Sequence, residues 1–306
     1  MKTHAELEKE LLTAYDEIFK EHKDEVAKWA VHKISPDKID EPVSPTIPFV
    51  GKEYADQKTK ILVYASAETL NDYCVGEPTN RFWLDVDSEA SNRHRKCFNE
   101  SVESFFPNVH ITPMNKGYLA TAIMYLSHLI RHSEPQEPKV FYETIAFGNY
   151  SKFSIETKYQ EQLRKNLHLT DGEKKILYKQ LGNKNIDTAD KNCYLTVSRD
   201  YILQDIAILE PDYIIMPRIN DTAFITELRK RTKIIEIYQM NSQVVNQMGE
   251  GGRNNPNNIY KSRDIEQLPD IIQRACQEIK GINHEKYRYV FDYLDKVLES
   301  ELTNNK

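Results

Sequence analysis

Glycine is scarce in this chain, with 10 in 306 residues. That is too few for repeated Gly-rich phosphate loops and far from a collagen-like pattern. Cysteine is rarer still: Cys74, Cys97, Cys193 and Cys276 are scattered, with no CxxC pair. No disulfide framework follows from such spacing, and the four read as reduced, partly buried small hydrophobes. His and Cys show no metal-ligand spacing, and HExxH, Walker A, GxSxG and dinucleotide fingerprints are all missing. No metal and no cofactor are therefore expected. No apolar run approaches the roughly 20 residues of a membrane helix. The first residues, MKTHAELEKELL, lack the apolar core of a signal peptide, so the reading is a cytoplasmic protein with no membrane partner. Positive charge is not in excess: 41 Lys+Arg stand against 47 Asp+Glu, a net charge of −6. This excludes a globally basic nucleic-acid coat but not a basic groove on an acidic body.

What the chain does have is 40% hydrophobic residues, with 18 Tyr and 11 Phe, enough to exclude disorder and to build a large core. Over residues 4–31, Leu7, Leu11, Tyr15, Ile18, Phe19, Val26 and Trp29 recur at helical spacing. Pro36, Pro42, Pro45 and Pro48 then enforce an extended connector. The run Ile61-Leu62-Val63-Tyr64-Ala65 reads as a buried parallel strand, followed by a polar loop over Ser66 to Asn80. Helical patterns cover about 90–105 and 117–132. A second strand is predicted over Lys139 to Phe147, stopping at Gly148-Asn149, with a polar helical insertion near 156–182. A helix over Ser198 to Leu209 leads to a third strand, Asp212 to Pro217. A helix at 221–231, a fourth strand over Lys233 to Tyr238, and tail helices at about 264–280 and 284–301 complete the pattern.

Strands alternating with helices predict an α/β chain: a three-layer α/β/α arrangement around a four-stranded parallel sheet, with N- and C-terminal helical extensions. The divisions expected are a helix and Pro-rich connector over 1–57, a core over 58–275 with an insertion at about 150–195, and a C-terminal helix over 276–306. Ligands of such sheets bind at the carboxyl ends of the strands. That directs attention to 66–72, 148–152, 218–221 and 239–253, all strongly polar.

In the first of these segments Glu68 can orient or deprotonate water or stabilise a developing cation, with the amide of Asn71 beside it; helix or turn capping by Glu68 or Asp72 is the plain alternative. Phe82 and Trp83 follow a turn, where an aromatic stacks on a base or simply fills the core. Asn149 can read a base edge, since an amide both donates and accepts; otherwise it ends a strand, with Gly148 supplying an unusual backbone angle. Asn241 and Ser242 precede the one glycine cluster, Gly249, Gly251 and Gly252, with Arg253 beside it. A flexible, amide-rich loop of this kind cradles a phosphate or is only a surface loop. Basic residues gather at 93–96 and 229–231, with Lys261 and Arg263 beyond, either as phosphate contacts or as solvated faces.

The order of these elements resembles the uracil-DNA glycosylase superfamily over about residues 58–275. Tyr64-Ala65-Ser66-Ala67-Glu68 is similar to the family's first motif, although neither of that motif's glycines is present, so either Ser66 or Glu68 takes the catalytic position. Phe82 lies where the family's base-stacking aromatic is found, and Asn149 in IAFGNYSKF resembles the base-reading Asn. DYILQDIAILEPDYIIMP resembles the family's helix, turn and third strand. Where the second motif usually begins with His, this chain has Met240-Asn241-Ser242. The resemblance implies hydrolysis of the N-glycosidic bond of a flipped base in DNA, with catalysis by Glu68, Ser66 or Asn241. Substrate contacts would come from Asn71, Phe82, Asn149, Ser242 and Arg253. It also implies uracil or a bulky modified base, such as a phage hypermodified cytosine, as the target. A nucleoside- or nucleotide-processing hydrolase on the same sheet, and a non-catalytic DNA- or partner-binding module, are the competing readings.

Overall fold

The computed structural model describes residues 2–26, 31–32, 41–42, 45, 47–69, 118–132, 141–155, 168–181, 193–219, 221–278 and 284–304. The predicted helix near 90–105, the basic run 93–96 and the aromatic pair Phe82-Trp83 lie outside these residues. The chain begins with helix α1, His4–Val26, opened by a reciprocal cap. Thr3 donates its backbone N–H to Glu6 Oε2 at 2.7 Å, and the Glu6 N–H reaches back to Thr3 Oγ1 at 3.3 Å. A two-residue antiparallel pair, β1 (Val31–His32) and β2 (Glu41–Pro42), follows within the connector.

The main sheet contains β3 (Phe49–Val50), β4 (Ile61–Thr69), β5 (Ala146–Ile155), β6 (Tyr213–Pro217) and β7 (Lys233–Ile237), in the order β3-β5-β4-β6-β7. β5, β4, β6 and β7 are mutually parallel, and β3 runs antiparallel to β5 through Phe49↔Phe147 and Val50↔Ala146. The sheet is therefore five-stranded and mixed, where the sequence predicts four parallel strands. The added strand comes from the Pro-rich connector. Its sequence, ending at Pro48, conceals a strand that an edge position accommodates.

Helices α2 (Tyr118–Arg131), α3 (Asp171–Leu181), α4 (Cys193–Leu209), α5 (Thr222–Leu228), α6 (Ser242–Asn246), α7 (Asp270–Glu278) and α8 (His284–Asn304) follow, with short 3-10 turns over Tyr142–Thr144, Pro256–Asn258 and Ile265–Gln267. Strand alternation distributes side chains to two faces. Ile61, Val63, Phe147, Ile215, Ile235 and Ile237 face one core with α2, α7 and α8. Leu62, Tyr64, Ala146, Tyr150, Ile214 and Ile234 face a second core with α1, α4 and α5. Along α8 the buried positions Tyr287, Val290, Phe291, Leu294, Val297 and Leu298 trace one helical stripe.

Two strand limits differ from the sequence reading. β4 continues through Thr69, so Ser66 to Thr69 are strand rather than the start of a loop. β5 begins at Ala146, after a short 3-10 turn over Tyr142–Thr144, and runs past Gly148-Asn149 to Ile155. The turn is fixed by Arg131, whose Nη1 donates to Thr144 Oγ1 at 2.9 Å and whose Nη2 donates to the Thr144 carbonyl at 2.8 Å.

Candidate functional site

Strand order positions the site. The chain moves from β4 outward to β5, then crosses back over β4 to β6 and on to β7. The crossovers diverge at β4 and β6, and parallel sheets bind ligands beyond the carboxyl ends of the strands at such a switch. At that edge stand the last residues of β4, Ser66 to Thr69, and Arg218 and Ile219 after β6.

The ladder changes character there. β4 pairs with β6 only through Ile61↔Tyr213, Leu62↔Ile214 and Val63↔Ile215. Beyond that point, among the described residues, β4 continues as a two-stranded ribbon with β5 through Tyr64↔Gly148, Ala65↔Asn149, Ala67↔Ser151 and Thr69↔Ile155. Between Ala67 and Thr69 the register shifts, so Glu68 lies opposite the bulged segment Lys152 to Ser154. Bulges of this kind bend a strand and re-aim its side chains, and they recur beside active sites.

The ladder pairs Asn149 on β5 with Ala65 on β4, one residue before Ser66 and three before Glu68, and strand alternation puts Asn149 and Ser66 on opposite faces of the sheet. Asn149 is not at a strand tip; it is buried in mid-strand. Gly148 supplies no unusual angle, because Gly251 is the only described glycine with positive φ. What Gly148 provides is room: a Cβ there would lie 3.3 Å from Pro48 and 3.4 Å from the Tyr64 ring.

Asn241 and Ser242 follow β7 at the same edge, two strands from β4. Asn241 caps α6, its Oδ1 accepting from the Val244 N–H at 2.9 Å, while Ser242 is exposed. Met240, standing where the resembled family usually has His, is fully buried and anchors this turn in the core. Asn71 and Phe82 lie outside the described residues.

The glycine segment is a folded turn rather than a flexible cradle. Gly251 has φ +70° and donates its N–H to Asn258 Oδ1 at 2.7 Å. Gly252 packs so closely that an added Cβ would meet the Gln247 carbonyl oxygen at 2.2 Å. The buried Asn255 accepts from the Tyr260 N–H at 2.8 Å and donates to the Tyr260 carbonyl at 3.0 Å. Its backbone and amides satisfy one another, and Arg253 is displayed on its exposed side.

Three of the predicted basic residues are occupied internally. Arg229 pairs with Glu301 at 2.5 Å and Glu236 at 3.2 Å, Arg231 with Glu227 at 3.8 Å, and Arg263 with Asp292 and Asp295. Arg218, directly after β6, is different. It is exposed and forms no ion pair with any described residue. Its guanidinium carbon sits 4.8 Å from the centroid of the Tyr238 ring. Tyr238 stacks on Tyr293 at 5.2 Å and donates its backbone N–H to the Tyr293 hydroxyl at 2.9 Å. A cation seated on an aromatic column keeps its orientation while its fork of donors remains open to an anion.

Beneath this edge lies a polar cluster absent from the sequence reading. Lys152 Nζ donates to Asp205 Oδ2 at 2.6 Å, with both side chains fully buried. Tyr64 donates to Asp205 Oδ2 at 2.6 Å and Tyr15 to Asp205 Oδ1 at 2.7 Å. The Lys152 N–H donates to Ser198 Oγ at 3.0 Å, and its ammonium lies 4.8 Å from the Tyr64 ring centroid. Burial pushes the Lys152 ammonium below its ordinary range, against the opposing pull of Asp205. Burial, reinforced by the Asp205 charge, pushes the Tyr15 and Tyr64 hydroxyls well above theirs. The available signal was an acid, Asp205, within the apolar helix YILQDIAIL.

Among the described residues, no group of three or more His, Cys, Asp or Glu is placed to hold a metal ion, and no helix is long and apolar enough to cross a membrane. Comparison with known protein families, with curated proteins and with solved structures finds no match.

Proposed function

We propose that this chain is a DNA glycosylase of the cytoplasm that hydrolyses the N-glycosidic bond of a flipped base and leaves an abasic site. The observation that carries the reading is the position of Glu68. It lies at the end of the central strand, at the switch in strand order and opposite a bulge, while Arg218 follows the neighbouring strand β6. In this reading Glu68 orients the attacking water or stabilises the sugar as it becomes cation-like, with Ser66 as its neighbour on the strand. Water adds to the sugar C1′, and the base departs with the electron pair of the broken bond and takes up a proton. The amide of Asn149, paired with Ala65 three residues before Glu68, is assigned the reading of a base edge by the resemblance. The resemblance assigns stacking on that base to Phe82 and a further substrate contact to Asn71, both outside the described residues. Asn241 and Ser242 follow β7 at the same edge and are assigned contact with the base or its phosphate. Arg218 holds the backbone phosphate, a task for which Arg253 is the second candidate. Uracil and bulky modified bases are the targets to test.

The test is incubation with uracil-containing, modified and phage-derived DNA, followed by alkaline cleavage at abasic sites. Glu68→Gln is expected to slow abasic-site formation by about 10²- to 10⁴-fold while DNA binding persists. An unchanged rate removes Glu68 from the mechanism. The net charge of −6 favours one other reading, a hydrolase of free nucleosides or nucleotides. Cleavage of those alone would establish it, and DNA binding with no cleavage of any substrate would indicate a binding module.

A further inference from the structure

We propose that Lys152 and Asp205 are positioning residues that hold the β5 bulge against Glu68, and that Tyr15 makes the N-terminal helix part of this support. The role rests on the glycosylase reading for its chemical consequence but on geometry alone for its mechanical one.

The ribbon of β4 and β5 beyond Val63 has lost β6 as a neighbour, so it needs another source of rigidity. Helix α4 supplies it at two points on one residue. The Lys152 backbone N–H goes to Ser198 Oγ, and the Lys152 side chain goes to Asp205, two turns further along the same helix. Lys152 is the first residue of the bulge, so the α4 contacts fix the place where the register shifts. Asp205 is held in turn by Tyr64 from β4 and Tyr15 from α1. One carboxylate thus joins both strands of the ribbon to two helices. A buried lysine is free to swing only if its charge is left unmatched, which the surroundings oppose strongly. The bulge therefore has one strongly preferred geometry, and with it the backbone facing Glu68.

Amide hydrogen exchange tests the mechanical part on the full chain without reference to activity. Asp205→Asn keeps the shape but removes the charge. It is expected to speed exchange by about tenfold or more at 64–69 and 148–155, while the amides of β6 and β7 keep their protection. Tyr15→Phe and Ser198→Ala, which each remove one contact and leave the ion pair, should give the same local pattern at smaller size. Acceleration spread evenly over the sheet, or none in any of the three variants, overturns the proposal. On DNA, the same variants should lower kcat with KM within about twofold, since the geometry of the reacting end is disturbed rather than the binding surface. A rise in KM alone would count against a positioning role. Should the wild-type chain leave no abasic sites on any DNA, the glycosylase reading fails while the exchange result still decides the positioning.

Discussion

The two faces of the sheet are built on different principles. The face covered by α2, α7 and α8 is an apolar core, with Ile61, Val63, Ile215, Ile235 and Ile237 meeting Phe291, Leu294 and Ile272. Among its polar contacts are single hydrogen bonds to backbone, as where the Tyr287 hydroxyl donates to the Tyr118 carbonyl at 2.6 Å and the Tyr293 hydroxyl accepts from the Tyr238 N–H at 2.9 Å. The face covered by α1, α4 and α5 is also lined by buried apolar side chains but carries a full ion pair, Lys152–Asp205, and two tyrosine hydroxyls at its centre. Apolar packing tolerates small shifts, because dispersion and the hydrophobic effect have no direction. A buried ion pair does not tolerate them, because every displaced donor leaves an unsatisfied charge. The apolar face supplies stability, and the charged face fixes where β5, and therefore the end of β4, must lie.

The largest effect expected follows from breaking that pair on one side. Lys152→Met leaves Asp205 as an uncompensated buried charge and should cost about 3–5 kcal/mol. Replacing both residues, Lys152→Met with Asp205→Leu, should recover most of the loss, because buried pairs exchanged for apolar residues of similar size are often neutral or stabilising. Urea unfolding of the two variants measures both quantities. A double variant no more stable than the single would show that the face depends on the charges for stability as well as geometry.

How much of this was legible in the sequence depended on whether a segment's surroundings resembled the average. ILVYA, DYIIMP and KIIEIY are apolar runs that fit only a buried strand, and each became one. The limits of β5 were missed because Gly148-Asn149 is a strong local turn signal. Pairing to β4 overrides it, and the glycine lets β5 run close to Pro48 and the Tyr64 ring, which an added Cβ would meet at 3.3–3.4 Å. The segment 139–145 has strand-like composition, yet residues 142–144 form a turn set by Arg131, an interaction from outside the segment. The charged cluster was hidden for a statistical reason: lysine is almost never fully buried, so Lys152 read as loop. That residues 66–69 and 241–242 share one edge of the sheet was legible because parallel strands place all their carboxyl ends on one side, whereas Asn149 proved to lie in mid-strand.

A second comparison concerns pH and draws on the apolar face. Burial pushes the Cys276 thiol up to about 12, well above the ordinary range. A group whose folded pKa is raised contributes stability fully present below its unfolded value, about 8.5, and lost as the pH climbs toward the folded value. At about 1.4 kcal/mol per pH unit, the loss between pH 8.5 and 10 is about 2 kcal/mol. Cys276→Ala should remove that share of the slope in a pH series of denaturant midpoints. Above about pH 10 the tyrosines join in: Tyr142 and Tyr287 on this face, and Tyr15 and Tyr64 on the other, all have hydroxyls pushed up by burial. Alkaline unfolding above that pH should persist in the Cys276 variant. A slope unchanged by the substitution would place the titration elsewhere.

The smallest effect expected sets the scale for the largest. Arg231 and Glu227 form an ion pair at 3.8 Å on the rim of α5, with each side chain about half exposed. Chemically it is the same attraction as Lys152–Asp205, a cation beside a carboxylate. Water screens it, however, and both partners lose side-chain freedom in holding it, so such pairs are worth about 0.3–0.5 kcal/mol. Arg231→Ala should therefore lower stability by no more than about 0.5 kcal/mol, and about 1 M salt should erase the difference. Lys152→Met should keep its deficit in that salt, because both side chains of its pair are fully buried. If both deficits fell together as salt rose, the Lys152–Asp205 pair would be reached by solvent, and the contrast between the two faces of the sheet would not hold.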